Sequence, residues 1–236
     1  MAPVLSIARY VEDVRIVTPP PATPFAVDSL PTGRTSLVVR VTDTGLRDAH
    51  VIGPRTRAKF KRVTGVVRAA TIRFKPGWLP SLFGVAANEL TDRIVALGDL
   101  LGADVTADLV EAQSTHDLLG TLSRAIAART TRESASARLA RRAIQMFEAG
   151  ETRVDIVAQQ LGVTARHLHR AFVDSVGLSP KQFARGVRLQ RAIGETARSR
   201  DWGVIARHAG YYDQPHLIAD FRELVGLTPT AYLARH

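Results

Sequence analysis

The chain of 236 residues is predicted to be an α+β protein: a β-rich front part with trailing helices, then an all-α part containing two helix-turn-helix units. Three observations predict this. Short β-branched runs broken by turn residues fill the chain as far as Phe74. From Pro76 onward apolar residues recur three and four apart. In the C-terminal part a single pattern occurs twice.

In the front part the strand-like runs include Ser36–Val41 and Val63–Phe74. Turn signals separate them: Pro19-Pro20-Pro21, Pro31-Thr32-Gly33, Thr44-Gly45 and Gly53-Pro54. The stretch Arg55-Thr56-Arg57-Ala58-Lys59-Phe60-Lys61 alternates basic residues with others. On a strand such alternation puts the charges on one face, and a solvated face is expected, with a nucleic-acid or acidic-ligand surface as the alternative. Helices are expected over Trp78–Leu101 and Ala107–Ala128. Ala128–Ala137 is small, polar and charged, and reads as a linker between a β-rich domain at 1–130 and a helical domain at 137–236.

The helical domain opens on an apolar stripe of Leu139, Ala140, Ala143, Ile144 and Phe147, stopped by Gly150. Thr152 with Asp155 has the spacing of a capping box. The first copy of the repeat covers Ile156–Phe183 and the second Val204–Tyr232. Ala158 and Gly162 align with Ala206 and Gly210 at an offset of 48. After one inserted residue the offset is 49, pairing Leu168 with Leu217, Phe172 with Phe221, Gly177 with Gly226, Pro180 with Pro229 and Phe183 with Tyr232. The matched positions are small, apolar or helix-breaking, as a shared backbone geometry requires.

Within the first copy, Thr164 is placed to cap a helix over Ala165–Ser175. At 100° per residue Leu168, Ala171 and Phe172 turn inward. Arg166, Arg170 and Val173 turn outward with His169 beside them. Two arginines one turn apart near a helix start suit base or phosphate contact, because a guanidinium can grip guanine O6 and N7 with parallel hydrogen bonds. Ser179-Pro180 opens a spacer helix to about Arg198, roughly 27 Å long and so close to one DNA turn of about 34 Å. It carries Lys181, Arg185, Arg188 and Arg191. The second reader, Gln214–Leu224, turns Pro215, Ile218, Ala219 and Arg222 outward, with Asp213 placed to cap it. Ala219 has no side-chain donor, so this edge suits thymine methyls. The residues expected to contact DNA are therefore Arg166, His169, Arg170, Val173 and Lys181 from the first copy and the spacer, and Gln214, Pro215, Ile218 and Arg222 from the second.

Bulk composition agrees with a nucleic-acid partner without locating the site. The net charge of +10 favours an acidic polymer. Glu133 divides the chain into two parts of equal excess positive charge, so charge alone points to neither. There is no cysteine, which excludes disulfides, thiolate metal sites and cysteine nucleophiles, including the thiolate acceptor of DNA alkyl-transfer domains found fused to such helix pairs. His167 and His169 point about 160° apart on a helix and cannot share a metal, and the front part holds only His50 and His116. No phosphate loop, nucleophile elbow or paired-carboxylate helix is present, so neither a cofactor nor an enzyme activity is expected. The start lacks a basic leader with an apolar core, and no apolar run reaches about 18 residues. A cytoplasmic protein away from membranes is expected.

The alanine-to-glycine spacing of both copies, the Arg166-His167-Leu168-x-Arg170-x-Phe172 run, Arg188-Leu189-x-x-Ala192 and Gly226-Leu227-Thr228-Pro229 resemble the AraC/XylS family of bacterial transcription regulators. The likeness covers about Leu139–Tyr232. It implies a seven-helix, two-lobed DNA-binding domain acting on promoter DNA, more often as activator than repressor, with RNA polymerase as a further partner. The family's base-reading positions fall on Arg166, His169 and Arg170, and in the second copy on Pro215 and Ala219, where polar or basic side chains are usual. The front part resembles a β-rich domain of unknown function that precedes such helix pairs. The residues that carry this likeness are Leu30-Pro31-Thr32-Gly33, Gly53-Pro54-Arg55-Thr56-Arg57, Arg73-Phe74-Lys75-Pro76-Gly77 and Leu90-Thr91-Asp92. Acids often stand in such domains where this chain has Thr32 and Ser36. This second likeness implies effector sensing or homodimer formation and names no small-molecule effector.

Overall fold

The structure is a computed structural model that describes residues 7–20, 24–127 and 133–235. Among the described residues, seven strands form in the front part: β1 (Val11–Val17), β2 (Phe25–Ser29), β3 (Thr35–Thr42), β4 (Arg47–Ile52), β5 (Lys59–Val63), β6 (Val66–Phe74) and β7 (Ile94–Ala96). Five pair antiparallel in the order β1-β6-β3-β4-β7, and β2 pairs with β5 in a separate ribbon. Alternation along β3 assigns the faces. Leu37 and Val39 are buried with Val51, Ile72 and Phe74 against the following helices. Ser36, Val38 and Arg40 face the other way, toward the space beside the β2–β5 ribbon.

The expected helix over Trp78–Leu101 is instead four short pieces: α1 (Leu79–Phe83), a 3-10 turn (Ala87–Leu90), β7 and α2 (Leu97–Leu101). Gly84 at φ +73° ends α1 and Asp92 at φ +59° turns the chain into β7, which pairs with β4 through Ile94 and Ile52. Left-handed backbone cannot continue a helix. The expected helix over Ala107–Ala128 is likewise α3 (Ala103–Glu111) and α4 (Thr115–Ala127). Ser114 opens the second piece by accepting from the Asp117 N–H, and Asp117 accepts from the Ser114 N–H in return. Residues 128–132 of the expected linker lie outside the described residues; beyond them Ser134 caps the next helix.

Seven helices follow: α5 (Ala135–Ala149), α6 (Val154–Gln160), α7 (Ala165–Val176), α8 (Pro180–Glu195), α9 (Trp202–Ala209), α10 (Gln214–Val225) and α11 (Pro229–Leu233). They build two cores that share α8. Phe183 and Ala184 of α8 pack with Phe147 and Phe172 in the first, while Leu189 and Ala192 pack with Ile205, Leu217 and Phe221 in the second. Aromatic contacts repeat at matched positions, Phe172 on Phe183 at 5.3 Å and Phe221 on Tyr232 at 5.5 Å. The spacing of Thr152 and Asp155 does not produce a capping box. Glu151 accepts from the N–H groups of Thr152 and Arg153, and Asp155 pairs with Arg153. The spacer α8 ends at Glu195, one turn short of the expected Arg198, and is about 24 Å long.

The front part seats on both lobes. A Cβ at Gly177 would fall 2.6 Å from Thr91 Oγ1, and one at Gly33 would fall 2.8 Å from Phe183. Gly186 of α8 admits the Pro31 carbonyl where any side chain would block it. The Arg141 guanidinium of α5 lies 3.6 Å from the Trp78 ring centroid, and burial lowers its pKa. The motif residues of the front part are thus largely docking residues.

Candidate nucleic-acid interface

Thr164 caps α7 by accepting from the His167 N–H at 3.1 Å, so the helix starts where the sequence predicts. Arg166, His169 and Arg170 are exposed on it and Val173 is half-buried. Among the described residues, neither arginine is engaged in an ion pair. Lys181 is exposed at the start of α8 behind the Ser179 cap and its reciprocal Gln182 contact. Arg166, Arg170 and Lys181 carry positive charge near helix N-termini, a place where the backbone dipole also favours anions.

The other basic residues of α8 are committed internally. Arg185 grips Asp220 and Glu223 of α10 at 2.6–3.0 Å, and Arg188 lies 3.5 Å from Asp220. The contact with Glu223, together with that to Asp220, raises the Arg185 pKa, and Arg185 lowers that of Glu223. Arg191 donates to the Glu148 carbonyl at 2.6 Å. Tyr211 lies under Arg188, and burial pushes its phenol upward.

In the second copy Asp213 caps α10 through the His216 N–H at 2.8 Å. Gln214, Pro215, Ala219 and Arg222 are exposed and Ile218 is half-buried. One residue escaped the sequence reading. Thr164 and Asp213 are the matching caps, and Val163 and Tyr211 the matching inner residues, so Tyr212 is the residue inserted between the copies. It is 90% exposed at the mouth of α10. The change of offset from 48 to 49 was the signal that could have found it.

Both readers are held at their far ends by the front part. Thr91 Oγ1 donates to the Gly177 carbonyl at 2.7 Å, just past α7. The Ala58 N–H donates to the Leu224 carbonyl at 2.7 Å in the last turn of α10. These carbonyls have no partner within their own helices, so one domain completes the C-terminal ends of both readers and leaves their N-terminal ends open. The expectation of a solvated basic face over Arg55–Lys61 holds only in part. Arg57, Lys59 and Lys61 are exposed, but Arg55 is buried in a cleft between the sheet and α8. Burial depends on what folds over a residue, which alternation alone does not contain. Arg73 lines the same cleft, as do Thr32 and Ser36, the two positions without acids.

Such twin capped readers on a shared helix define a double helix-turn-helix DNA-binding protein. A helix-turn-helix domain model matches residues 157–235, and a model for a domain of unknown function (DUF6597) matches residues 1–96. Residues 157–235 thus carry a helix-turn-helix domain at the C-terminal end, as the resemblance to the AraC/XylS family implies. No curated protein sequence matches it. Among solved structures, ToxT from Vibrio cholerae O395 aligns over 94% of this chain and 96% of its own, at 10% identity and a TM-score of 0.49. The C-terminal domain of AraT, a response regulator from Geobacillus stearothermophilus, aligns over 44% of this chain and 89% of its own, at 22% identity and a TM-score of 0.41. No helix among the described residues is long and apolar enough to cross a membrane.

Proposed function

We propose that the chain is a cytoplasmic, sequence-specific transcription activator that lays α7 and α10 in successive major grooves near a promoter. Residues 137–236 bind DNA, and residues 1–130 sense an effector or form a dimer. Arg166, His169 and Arg170 read bases, helped by Val173, while Lys181 holds phosphate. Gln214, Pro215, Ile218 and Arg222 form the second edge, to which Tyr212 adds an aromatic contact. RNA polymerase is the second partner.

The observation that carries this reading is the free cationic edge of α7, in contrast to the spacer arginines, which are all committed to internal partners. The test is selection of bound sites from genomic fragments, followed by affinity measurements across salt. A specific complex loses affinity steeply as salt rises, through counterion release. Arg166→Ala or Arg170→Ala should cost about 1–3 kcal/mol on the selected site and relax preference at one position. Equal losses on selected and random DNA would reduce these side chains to phosphate contacts.

A further inference from the structure

We propose that the cleft between the sheet and α8 binds a small hydrophilic anion, a carboxylate or phosphate ester, anchored on Arg55. Arg55 is 5% exposed, and its buried Nε has no hydrogen-bond partner. No carboxylate is ion-paired with it among the described residues. A guanidinium removed from water without a direct ion-pair partner is an unfavourable arrangement in a protein interior. The backbone delivers it there by construction. Gly53 packs on Leu90 so closely that no side chain fits, and Thr56 on the other side of Arg55 donates its N–H to Asp92 at 3.0 Å.

The remaining wall selects the ligand. Arg34 and Arg73 bring two more cations, and Glu12 and Asp28 two acids, so with Arg55 the lining has a single positive charge in excess. Glu12 is already held by Arg34, whose Nη2 donates to it at 2.7 Å. Arg73 is only 3.9 Å from Asp13, a loose pair that leaves its guanidinium available. It stands across the sheet from Ser36, so a hydroxyl and two arginine forks share one floor. A guanidinium fork matches the paired oxygens of a carboxylate or phosphate. The cleft volume of about 330 Å³ suits a metabolite rather than a polymer. Its hydroxyls, from Ser29, Thr32 and Ser36, suit a polar body rather than an acyl chain. The roof is α8 itself, where Gln190 accepts from Arg34 at 3.1 Å. An occupant therefore touches both the front part and the helix shared by the two DNA-reading lobes.

The experiment needs no DNA. Thermal unfolding of the full chain is followed in sodium phosphate and in sodium acetate, each against sodium chloride of equal ionic strength. The expected result is a rise of about 3 °C over chloride, for at least one of the two anions, at ten times its dissociation constant. A response to phosphate alone assigns a phosphate ester, and one to acetate alone a carboxylate. Arg55→Met should abolish the rise while leaving the chloride midpoint equal or higher, since it removes an unpaired buried cation. Should that variant fail to fold, Arg55→Lys keeps the charge but loses the fork, and its apparent affinity should drop at least about tenfold. Arg166→Ala with Arg170→Ala controls for anions on the DNA face and should keep the full rise. No rise with either anion, or an equal rise with Arg55→Met, overturns the proposal.

Discussion

The two helix-turn-helix lobes share a backbone and differ in how they use it. In both, a side-chain oxygen caps the reader, a phenylalanine fills the core and the front part closes the last turn. In the first lobe the inner face of the reader carries no charge, with Ala171 and Ser175 buried, and its outer face carries arginines that join no ion pair among the described residues. In the second lobe the residue matching Ala171 is Asp220, drawn into the Arg185 and Arg188 network, and the outer face carries Pro215 and Ala219. Charge has moved from the edge of the lobe to its interior. The first lobe thus presents unpaired charge at its edge, and the second is locked to the spacer through Asp220.

The largest effect should come from the feature the lobes share. Phe172→Ala and Phe221→Ala should each cost about 3–5 kcal/mol in urea unfolding, because each leaves a cavity in a core. A much smaller loss at Phe221 would show that the second core packs loosely and would break the structural equivalence. Next comes the feature they do not share. Asp220→Ala removes the acid between two part-buried arginines and should cost about 2 kcal/mol of stability. A neutral result would mean that Glu223 alone suffices to tie α10 to Arg185, and that the buried acid adds nothing to the lock. The smallest effect concerns the inserted residue. Tyr212→Ala should change stability by less than about 0.5 kcal/mol, yet weaken binding to selected DNA by up to about 1 kcal/mol. Unchanged binding would make the insertion a simple lengthening of the turn.

Local chemistry was legible in the sequence, and long-range pairing was not. Thr164, Ser179 and Asp213 cap helices at the predicted places because each bond spans three residues. Gly150 ends α5 for the same kind of reason. The helix expected over Trp78–Leu101 failed because β7 is made by pairing with β4, some forty residues earlier in the chain. The sequence places Arg185, Arg188 and Arg191 on the spacer without saying what they bind, because their partners lie on other helices. Arg55 was read as surface because alternation reveals a face and not what covers it. The docking role of Gly33, Gly177 and Gly186 was equally hidden, since each needs a neighbour brought from another domain.

The two readers should work as a pair, and a hydroxyl-radical footprint on a selected site tests this most directly. The prediction is two protected tracts whose centres lie about 10–10.5 base pairs apart on one face of the duplex. Arg170→Ala should weaken the tract under the first reader more than the other. A single protected tract, or two tracts facing opposite sides of the duplex, would contradict it.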